Sequence, residues 1–265
     1  MDIIQPGPLL VSTKTSLQEF VQISDHRYSV KIADNLDEID AALRLRYTIF
    51  NLELNEGFSR SYYTQKDEDE FDAQFHHLIV VEKSSGEIVG TYRIQTYEMA
   101  RSGNGFYSAG EFEIKKLGRF RLIRSVELGR ACISEHHRNG RVLFLLWKGI
   151  GQYMQIHQKR FLFGCCSLSS QESVEGPLLM NHLMQQGKVH KSLFINPLPA
   201  YKCYISAIKD LDLDLDGPPL MEIYFRYGAK VCSYPAMDRD FRTIDFLVLL
   251  DMNDLDMEIR SLFLN

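Results

Sequence analysis

The segment Ser125–Val142, S-V-E-L-G-R-A-C-I-S-E-H-H-R-N-G-R-V, runs directly into L-F-L-L-W-K-G-I and constrains the fold more than any other part of the chain. Val126, Leu128, Ala131 and Ile133 make a β-rich run that stops at a polar turn. Behind the turn, Val142, Leu146, Ile150 and Met154 recur at the spacing of one helix face. The pattern predicts a strand, a basic loop and a helix, in that order. The first N–H groups of a helix lack intrahelical partners and carry the positive end of its dipole, so the loop suits an anion such as a phosphate. Arg138, Asn139, Gly140 and Arg141 add cationic donors and a small residue at that place. The strand before it carries an acid and a base. Glu127 and Arg130 are three apart and would face opposite sides of a regular strand, whereas a bulge at Gly129 would turn both toward one cleft.

The rest of the composition narrows what such a unit serves. A chain of 265 residues that is 45% hydrophobic can bury a large core as one sizeable domain or a domain with an extension. Thirty basic against thirty-five acidic residues leave a net charge of −5, which argues against a nucleic-acid-binding protein that relies on overall positive charge. Lys115–Arg124, K-K-L-G-R-F-R-L-I-R, holds five cations and no acid, and reads either as a solvated strand or loop face or as a docking surface for an acidic partner. The five cysteines, at 132, 165, 166, 203 and 232, form no metal-like C-x-x-C pairs and fit a reduced, cytosolic setting. Met1–Val11 lacks the cationic start and apolar core of a signal peptide. Apolar runs such as Val142–Trp147 and Phe246–Leu250 fall short of the ~20 residues needed to cross a bilayer, so any membrane contact is expected to be peripheral.

Residues 1–30 read as a polar N-terminal arm and 31–265 as the folded domain. Asn35 is placed to cap a helix with Glu38 at the reciprocal position, and Leu36, Ile39, Leu43, Tyr47 and Phe50 follow at helical spacing. Glu56–Glu70 is a polar loop long enough to be functional. Leu78–Glu82 and Ile88–Tyr97 form an antiparallel hairpin around Ser84-Ser85-Gly86-Glu87. A glycine-rich loop covers Arg101–Gly110. After the central strand and helix come a strand at Arg160–Cys166, a helix over about Ser173–Gln186, and strands near Lys230–Tyr234 and Asp245–Leu250. This order predicts a mixed α/β (α+β type) fold with a largely antiparallel sheet. No dinucleotide fingerprint, phosphate-binding G-x-x-x-x-G-K-S/T loop or G-x-S-x-G elbow is present.

Arg46 and Phe50 on the first helix, Asp69 and Asp72 in D-E-F-D, Arg93 on the hairpin, and Glu127 with Arg130 in E-L-G-R resemble the polar pattern of acyl-homoserine-lactone synthases, a branch of the GNAT superfamily. The longer blocks, E-L-G-R-A-C-I-S-E-H-H-R-N-G-R-V-L-F-L-L-W-K-G-I, Phe161–Cys165 and P-P-L…Y-G-A-K-V-C-S-Y-P-A-M-D-R-D-F-R-T-I-D-F-L-V-L-L-D, are more similar to a sister branch. That branch is the ornithine-acyl carrier protein N-acyltransferases and related N-acyl amino acid synthases, sometimes called hemolysin-like. The resemblance covers roughly residues 35–252. It implies a GNAT-like, largely antiparallel twisted sheet flanked by helices, and transfer of a long, 3-hydroxylated acyl chain from acyl carrier protein to the α-amine of an amino acid. Ornithine is the first expected acceptor and glycine the second. The resemblance further implies no permanently bound cofactor, the acyl-phosphopantetheine of the carrier being the donor.

Two departures bear on the donor and the product. Acetyl-CoA-using relatives carry Q/R-x-x-G-x-G/A in the pyrophosphate loop, whereas Arg138–Leu143 has its glycine displaced and no second one. Lactone synthases favour a tryptophan on the loop after the first helix, but Glu56 stands six residues after Phe50 and the only tryptophan is Trp147. Lactone synthesis and a non-catalytic acyl-binding module are the alternative functions.

Amide formation from a thioester needs a neutral amine, and a carboxylate that removes its proton contributes ~10²–10⁴-fold. Glu127 is the candidate base, with a structural ion pair to Arg93 or Arg130 as the plainer alternative. Arg46, Asp69, Asp72, Arg93 and Arg130 match the buried polar network around the family's acceptor pocket. The phosphopantetheine arm is expected along Arg138, Asn139, Gly140 and Arg141, and the carrier on a basic face that includes Lys115–Arg124 and Lys148. Phe50, Phe144 and Trp147 are either acyl-tunnel lining or core. His76-His77 and His136-His137 lack zinc-ligand spacing. Cys165-Cys166 reads as a pair of small buried thiols. Asp212–Gly217 imitates a calcium loop but has Ile223 where a bidentate Glu belongs.

Overall fold

A computed structural model describes residues 19–203 and 217–264. Most of the expected arm, Met1–Val11 included, and the Asp212–Asp216 part of the calcium-like loop lie outside them. The chain enters through two strands, β1 (Ile23–Ser24) and β2 (Tyr28–Ile32). The sheet thus begins ahead of the boundary expected at residue 31. Tyr28 and Val30 are fully buried and Ile32 nearly so, and this period-2 pattern is what seats β2 in the sheet.

Helix α1 (Leu36–Tyr47) follows, capped as its sequence predicts: Asn35 Oδ1 accepts from the Glu38 N–H at 2.9 Å, and Glu38 reaches back to the Asp34 N–H. A π-helical turn (Thr48–Glu53) prolongs it and holds Phe50 buried. A short helix α2 (Ser61–Thr64) interrupts the polar loop before the hairpin β3 (His76–Glu82) and β4 (Ile88–Thr96). Helices α3 (Tyr97–Ser102) and α4 (Arg119–Ile123) flank two 3-10 turns, Tyr107–Gly110 and Ile114–Leu117. The basic run Lys115–Arg124 is therefore helical, not the strand or loop expected, with Lys115, Lys116, Arg119 and Arg124 exposed. Then come β5 (Ser125–Ile133), α5 (Arg141–Ile156), β6 (Phe161–Leu168) and α6 (Glu175–Gln185). Helix α7 (Pro219–Arg226), strands β7 (Lys230–Val231), β8 (Ala236–Asp238) and β9 (Thr243–Asp251), and helix α8 (Met257–Leu264) complete the described chain.

The strands form one sheet in the order β1-β2-β3-β4-β5-β6-β9-β7, with β8 beside β9. Only β5 and β6 run parallel among the described pairs, because α5 carries the chain back between them. The fold is the expected mixed α/β arrangement, a largely antiparallel sheet flanked by helices. On one face, Val142, Leu146, Ile150 and Met154 of α5 pack on Val30, Leu78, Val80, Tyr92, Val126 and Leu162. The opposite face carries α1, the polar loop and the 3-10 turns, and it is there that buried charge collects.

Leu36 shares the helical spacing of α1 yet is 82% exposed, whereas Leu146 is fully buried. Leu146→Ala is expected to cost about 2–5 kcal/mol, and Leu36→Ala less than about 0.5 kcal/mol; urea unfolding of the two variants measures both.

Candidate active site

Strand β5 carries a bulge. Against β4, Thr91 faces Cys132 and Arg93 faces Gly129, so Arg130 and Ala131 together oppose Tyr92 alone. The extra residue falls one place beyond the expected Gly129, at Arg130, whose φ of 50° lies in the left-handed region. Such a conformation costs a non-glycine residue about 1–3 kcal/mol. The bulge turns Arg130 to the face that Glu127 already occupies, as the spacing of the two residues predicts.

On that face three arginines and three aspartates alternate in a closed ring. Asp67 bridges Arg46 (2.8 Å) and Arg130 (3.1 Å). Asp69 bridges Arg130 (3.5 Å) and Arg93 (2.6 Å), and Asp72 bridges Arg93 (3.2 Å) and Arg46 (2.6 Å). The six side chains are at most 10% exposed, and their charges cancel. Burial alone would raise the Asp67 and Asp72 carboxyls, but the Arg46 guanidinium beside them outweighs it and holds both below the usual carboxylate range. Aromatic rings cover the exposed edges: the Arg130 guanidinium lies 4.2 Å from the Phe241 centroid and 4.9 Å from Tyr107, and Arg93 lies 4.6 Å from Phe75. The sequence identifies five members of this ring. Asp67 was missing, and its signal was arithmetic, since three arginines with two aspartates leave one buried cation unbalanced.

Glu127 is not part of the ring, and the alternative reading of it, an ion pair with Arg93 or Arg130, does not form. Its carboxylate accepts instead from Gln95 Nε2 (2.6 Å), the Tyr107 N–H (2.9 Å), the Ser108 N–H (2.7 Å) and Ser108 Oγ (2.6 Å). These bonds fasten the 3-10 turn at Tyr107 to the sheet. Burial, opposed by the Ser108 bonds, still raises the Glu127 carboxyl above its ordinary value.

Beyond Glu127 the two parallel strands part. Pairing of β5 with β6 ends at Glu127 and Phe163, and at the next residue a Cβ on Gly164 would stand 2.1 Å from the Leu128 carbonyl oxygen. Only glycine fits that point. Past it a cavity of about 620 Å³ opens between Leu128–Ile133 and Gly164–Ser167 and passes through the sheet. Its half on the α5 side is apolar, walled by Leu143, Leu146, Trp147, Leu220, Ile223 and Tyr224. Its other half is polar, with Glu56, Tyr107, Arg130, Ser169 and Asp245 beside Phe50 and Phe241. Volume and lining fit an elongated amphipathic ligand. Phe50 and Trp147 thus line the cavity, whereas Phe144 is 37% exposed and packs on Phe263.

Arg138 and Gly140 stand at the cavity wall where α5 begins. Gly140 caps that helix with φ 79°, a conformation that favours glycine. Asn139 closes the turn by accepting from the Arg141 N–H, Arg138 is held in a bidentate pair with Glu53, and Arg141 reaches Asp25 at 3.6 Å. Both of the loop's expected anion-binding cations are therefore paired with acids of the chain itself.

Three further carboxylates were missed in the sequence because nothing local marks them. Glu56 hydrogen-bonds Ser169 Oγ, and burial pushes its carboxyl up to about 6. Asp245 and Glu111, both almost fully buried, are also raised by burial. His76 bonds the Tyr153 hydroxyl and His77 the Asp72 carbonyl, and burial lowers them to about 3 and about 4. Burial raises the Cys165 and Cys166 thiols, which leaves neither a thiolate nucleophile.

The Acetyltransferase (GNAT) domain family matches residues 45–148, from the last turn of α1 to the middle of α5, and so takes in the ring, the bulge and the turn after it. With the sheet and its splayed strands, this defines an acyltransferase of the GNAT superfamily. The L-ornithine N(alpha)-acyltransferase of Agrobacterium fabrum strain C58 is 32% identical over 244 residues, which cover 85% of this chain and 81% of that protein. Its namesake from Rhizobium meliloti strain 1021 is 32% identical over 237 residues, 85% of this chain and 80% of that protein. The chain belongs to the L-ornithine N(alpha)-acyltransferase family. Among solved structures, FeeM, an N-acyl amino acid synthase from uncultured soil microbes, shares the fold with a TM-score of 0.50 at 12% identity, over 90% of this chain and 96% of its own.

Removing one member of the ring leaves a buried charge without its partner. Arg46→Ala is expected to destabilise the protein by about 3–5 kcal/mol, and Arg46→Lys to recover only part of it, because an ammonium cannot hold two carboxylates in a planar fork. Chemical denaturation of both variants gives the two numbers.

Proposed function

We propose that this protein transfers a long, 3-hydroxylated fatty acyl chain from acyl carrier protein to the α-amine of ornithine. The observation that carries this is the two-sided cavity, apolar toward α5 and charged toward the ring, with the splayed β5 edge between its halves. The acyl chain lies in the apolar half among Leu143, Trp147 and Tyr224. The phosphopantetheine arm enters past Arg138 and Gly140, and the acidic carrier sits on the exposed cations of Lys115–Arg124. The family's named relatives act on L-ornithine, and the polar half suits such an acceptor: Arg130 is the cation of its wall and faces the amino acid's carboxylate.

The α-amine arrives as an ammonium and must lose a proton before its lone pair attacks the thioester carbon. The C–N bond forms and a tetrahedral oxyanion develops beside the bulge, whose extra residue stands outside the regular ladder and offers its backbone N–H to it. The C–S bond then breaks. The departing sulfur takes one of the two protons nitrogen gives up, and the other passes to solvent.

Two carboxylates compete for the first proton. Glu127 is engaged by four hydrogen bonds and lies outside the cavity wall. Glu56 lies in the wall with one hydrogen bond, to Ser169, and its raised carboxyl ionises near neutrality, which suits a general base. We assign the proton to Glu56, and to Glu127 the positioning of the Tyr107 turn.

Purified protein given 3-hydroxypalmitoyl-acyl carrier protein and a pool of amino acids is expected to yield N-acylornithine by mass spectrometry; an intact thioester would overturn the proposal. Glu56 must be ionised to accept a proton, so turnover should fall as pH drops through about 6. Asp245, Arg130 and Arg242 also act on this carboxyl and set where the limb falls. Glu56→Gln should lower kcat by ~10²–10⁴ and remove that acidic limb. Glu127→Gln should lower the melting temperature and keep the limb; its loss there would return the base role to Glu127. Charge reversal at Arg119 and Arg121 should raise KM for acyl carrier protein and leave KM for ornithine unchanged.

A further inference from the structure

A group of carboxylates at and behind the polar wall takes no proton in the transfer chemistry. Asp245 projects from β9, Glu111 follows the 3-10 turn at Tyr107, and Asp238 ends β8; they are 4%, 3% and 5% exposed. Asp238 is satisfied locally, accepting from the Asp240 and Phe241 N–H groups at 2.9 Å each. Asp245 and Glu111 are satisfied only in part: Glu111 Oε2 accepts from the Cys165 thiol at 3.8 Å, and Asp245 meets Glu111 and Ser167. Carboxylate oxygens of the two and the Cys165 sulfur lie within 4.8 Å of one another. Asp245 Oδ1, buried in a residue that lines the cavity, has no hydrogen-bond partner. Among the described residues no lysine or arginine forms an ion pair with either acid, and Arg130, the cation of the adjoining wall, makes its own ion pairs with Asp67 and Asp69.

Two carboxylates so placed cannot both ionise without a counter-charge, and without a ligand they keep a proton between them. Burial and the neighbouring acids raise both groups accordingly. A buried acid pair with an unfilled acceptor at a cavity wall is arranged for a cation that arrives from the cavity. A divalent metal is the poorer occupant, because burial holds the Cys165 thiol protonated and leaves only two ready ligands.

We infer that Asp245 and Glu111 form a subsite for the side-chain ammonium of the acceptor, and so select an amino acid with a second, distal amine. This rests on the reading that the acceptor occupies the polar half of the cavity. Three features of the same wall then meet three groups of one molecule: Arg130 its carboxylate, Glu56 its α-amine and Asp245 its distal ammonium. Glycine, or a chain ending in a methyl group, leaves the acid pair desolvated and unpaired. A site built to bond a polar group rejects the analogue that lacks it far more strongly than an apolar pocket rejects a missing methylene.

The test compares ornithine with norvaline, which has the same chain length without the distal nitrogen, using the full chain and 3-hydroxypalmitoyl-acyl carrier protein. Wild type should favour ornithine, and Asp245→Asn should lower the ratio of kcat/KM for ornithine over norvaline by about 10²-fold, mainly through KM for ornithine. Glu111→Gln should act in the same direction and guards against a folding defect in the first variant. Without acyl donor, ornithine should raise the melting temperature of wild type more than norvaline does, and this difference should vanish in Asp245→Asn. A folded variant with unchanged discrimination overturns the subsite while leaving ornithine acylation standing. Acylation of neither amino acid by wild type overturns the acceptor reading together with the subsite. Stabilisation by zinc but not by ornithine, with activity lost to EDTA, overturns it in favour of a metal site.

Discussion

The closed ring of Arg46, Asp67, Arg130, Asp69, Arg93 and Asp72 is the interaction on which the rest of the structure depends. Each of its ions is desolvated, and each is tolerable only because two opposite charges lie against it. The ring joins elements far apart in the chain: α1 through Arg46, the polar loop through its aspartates, β4 through Arg93 and β5 through Arg130. It also fixes the strained conformation of Arg130, since a regular strand would aim that guanidinium to the other face. The loop after α1, which its composition marks only as polar, is in effect a buried counter-ion for the sheet.

Where the ring ends, the sheet opens. Parallel strands on either side of a crossover helix ordinarily continue side by side; here regular pairing ends at Glu127 and Phe163, the Leu128 carbonyl still lies against Gly164, and the cavity opens past that contact. The gap joins two environments that a sheet normally separates. One is the apolar face under α5, suited to a hydrocarbon chain. The other is a charged face lined by Arg130, Glu56 and Asp245. Acyl transfer to an amino acid needs both environments within reach of one carbonyl carbon, and the splay supplies that without a second domain.

How much of this was legible depended on whether a signal was local. The periodicity of α5, the cap at Asn35 and the hairpin turn are decided by neighbours in sequence, and the structure has them within a few residues of where they were expected. The bulge was legible from the spacing of Glu127 and Arg130, though placed one residue early. Strand β2 lay unread within an apparent arm, although Tyr28, Val30 and Ile32 alternate as a strand should. Five residues of the ring were named through the resemblance to a family, not through any property of the residues alone. Asp67 stands two residues from one of them and differs from its acidic neighbours only in where it is buried. Glu56, Glu111 and Asp245 come from three distant segments, and only the folded sheet brings them to one wall. Glu127 shows the reverse limit, since its residue type suits a base while the four hydrogen bonds that tie it to Gln95 and the Tyr107 turn are visible only in the fold.

Trp147, the only tryptophan, lines the apolar half of the cavity and reports directly on what lies there. The decisive measurement is its fluorescence during titration with acyl carrier protein bearing a brominated fatty acyl chain, with the unbrominated chain as control. If the chain runs under α5, the bromines lie against the indole and the emission is quenched saturably by the brominated donor alone. Equal emission with both donors, under conditions where both bind, would contradict the account, because it would place the acyl chain outside the cavity between β5 and β6.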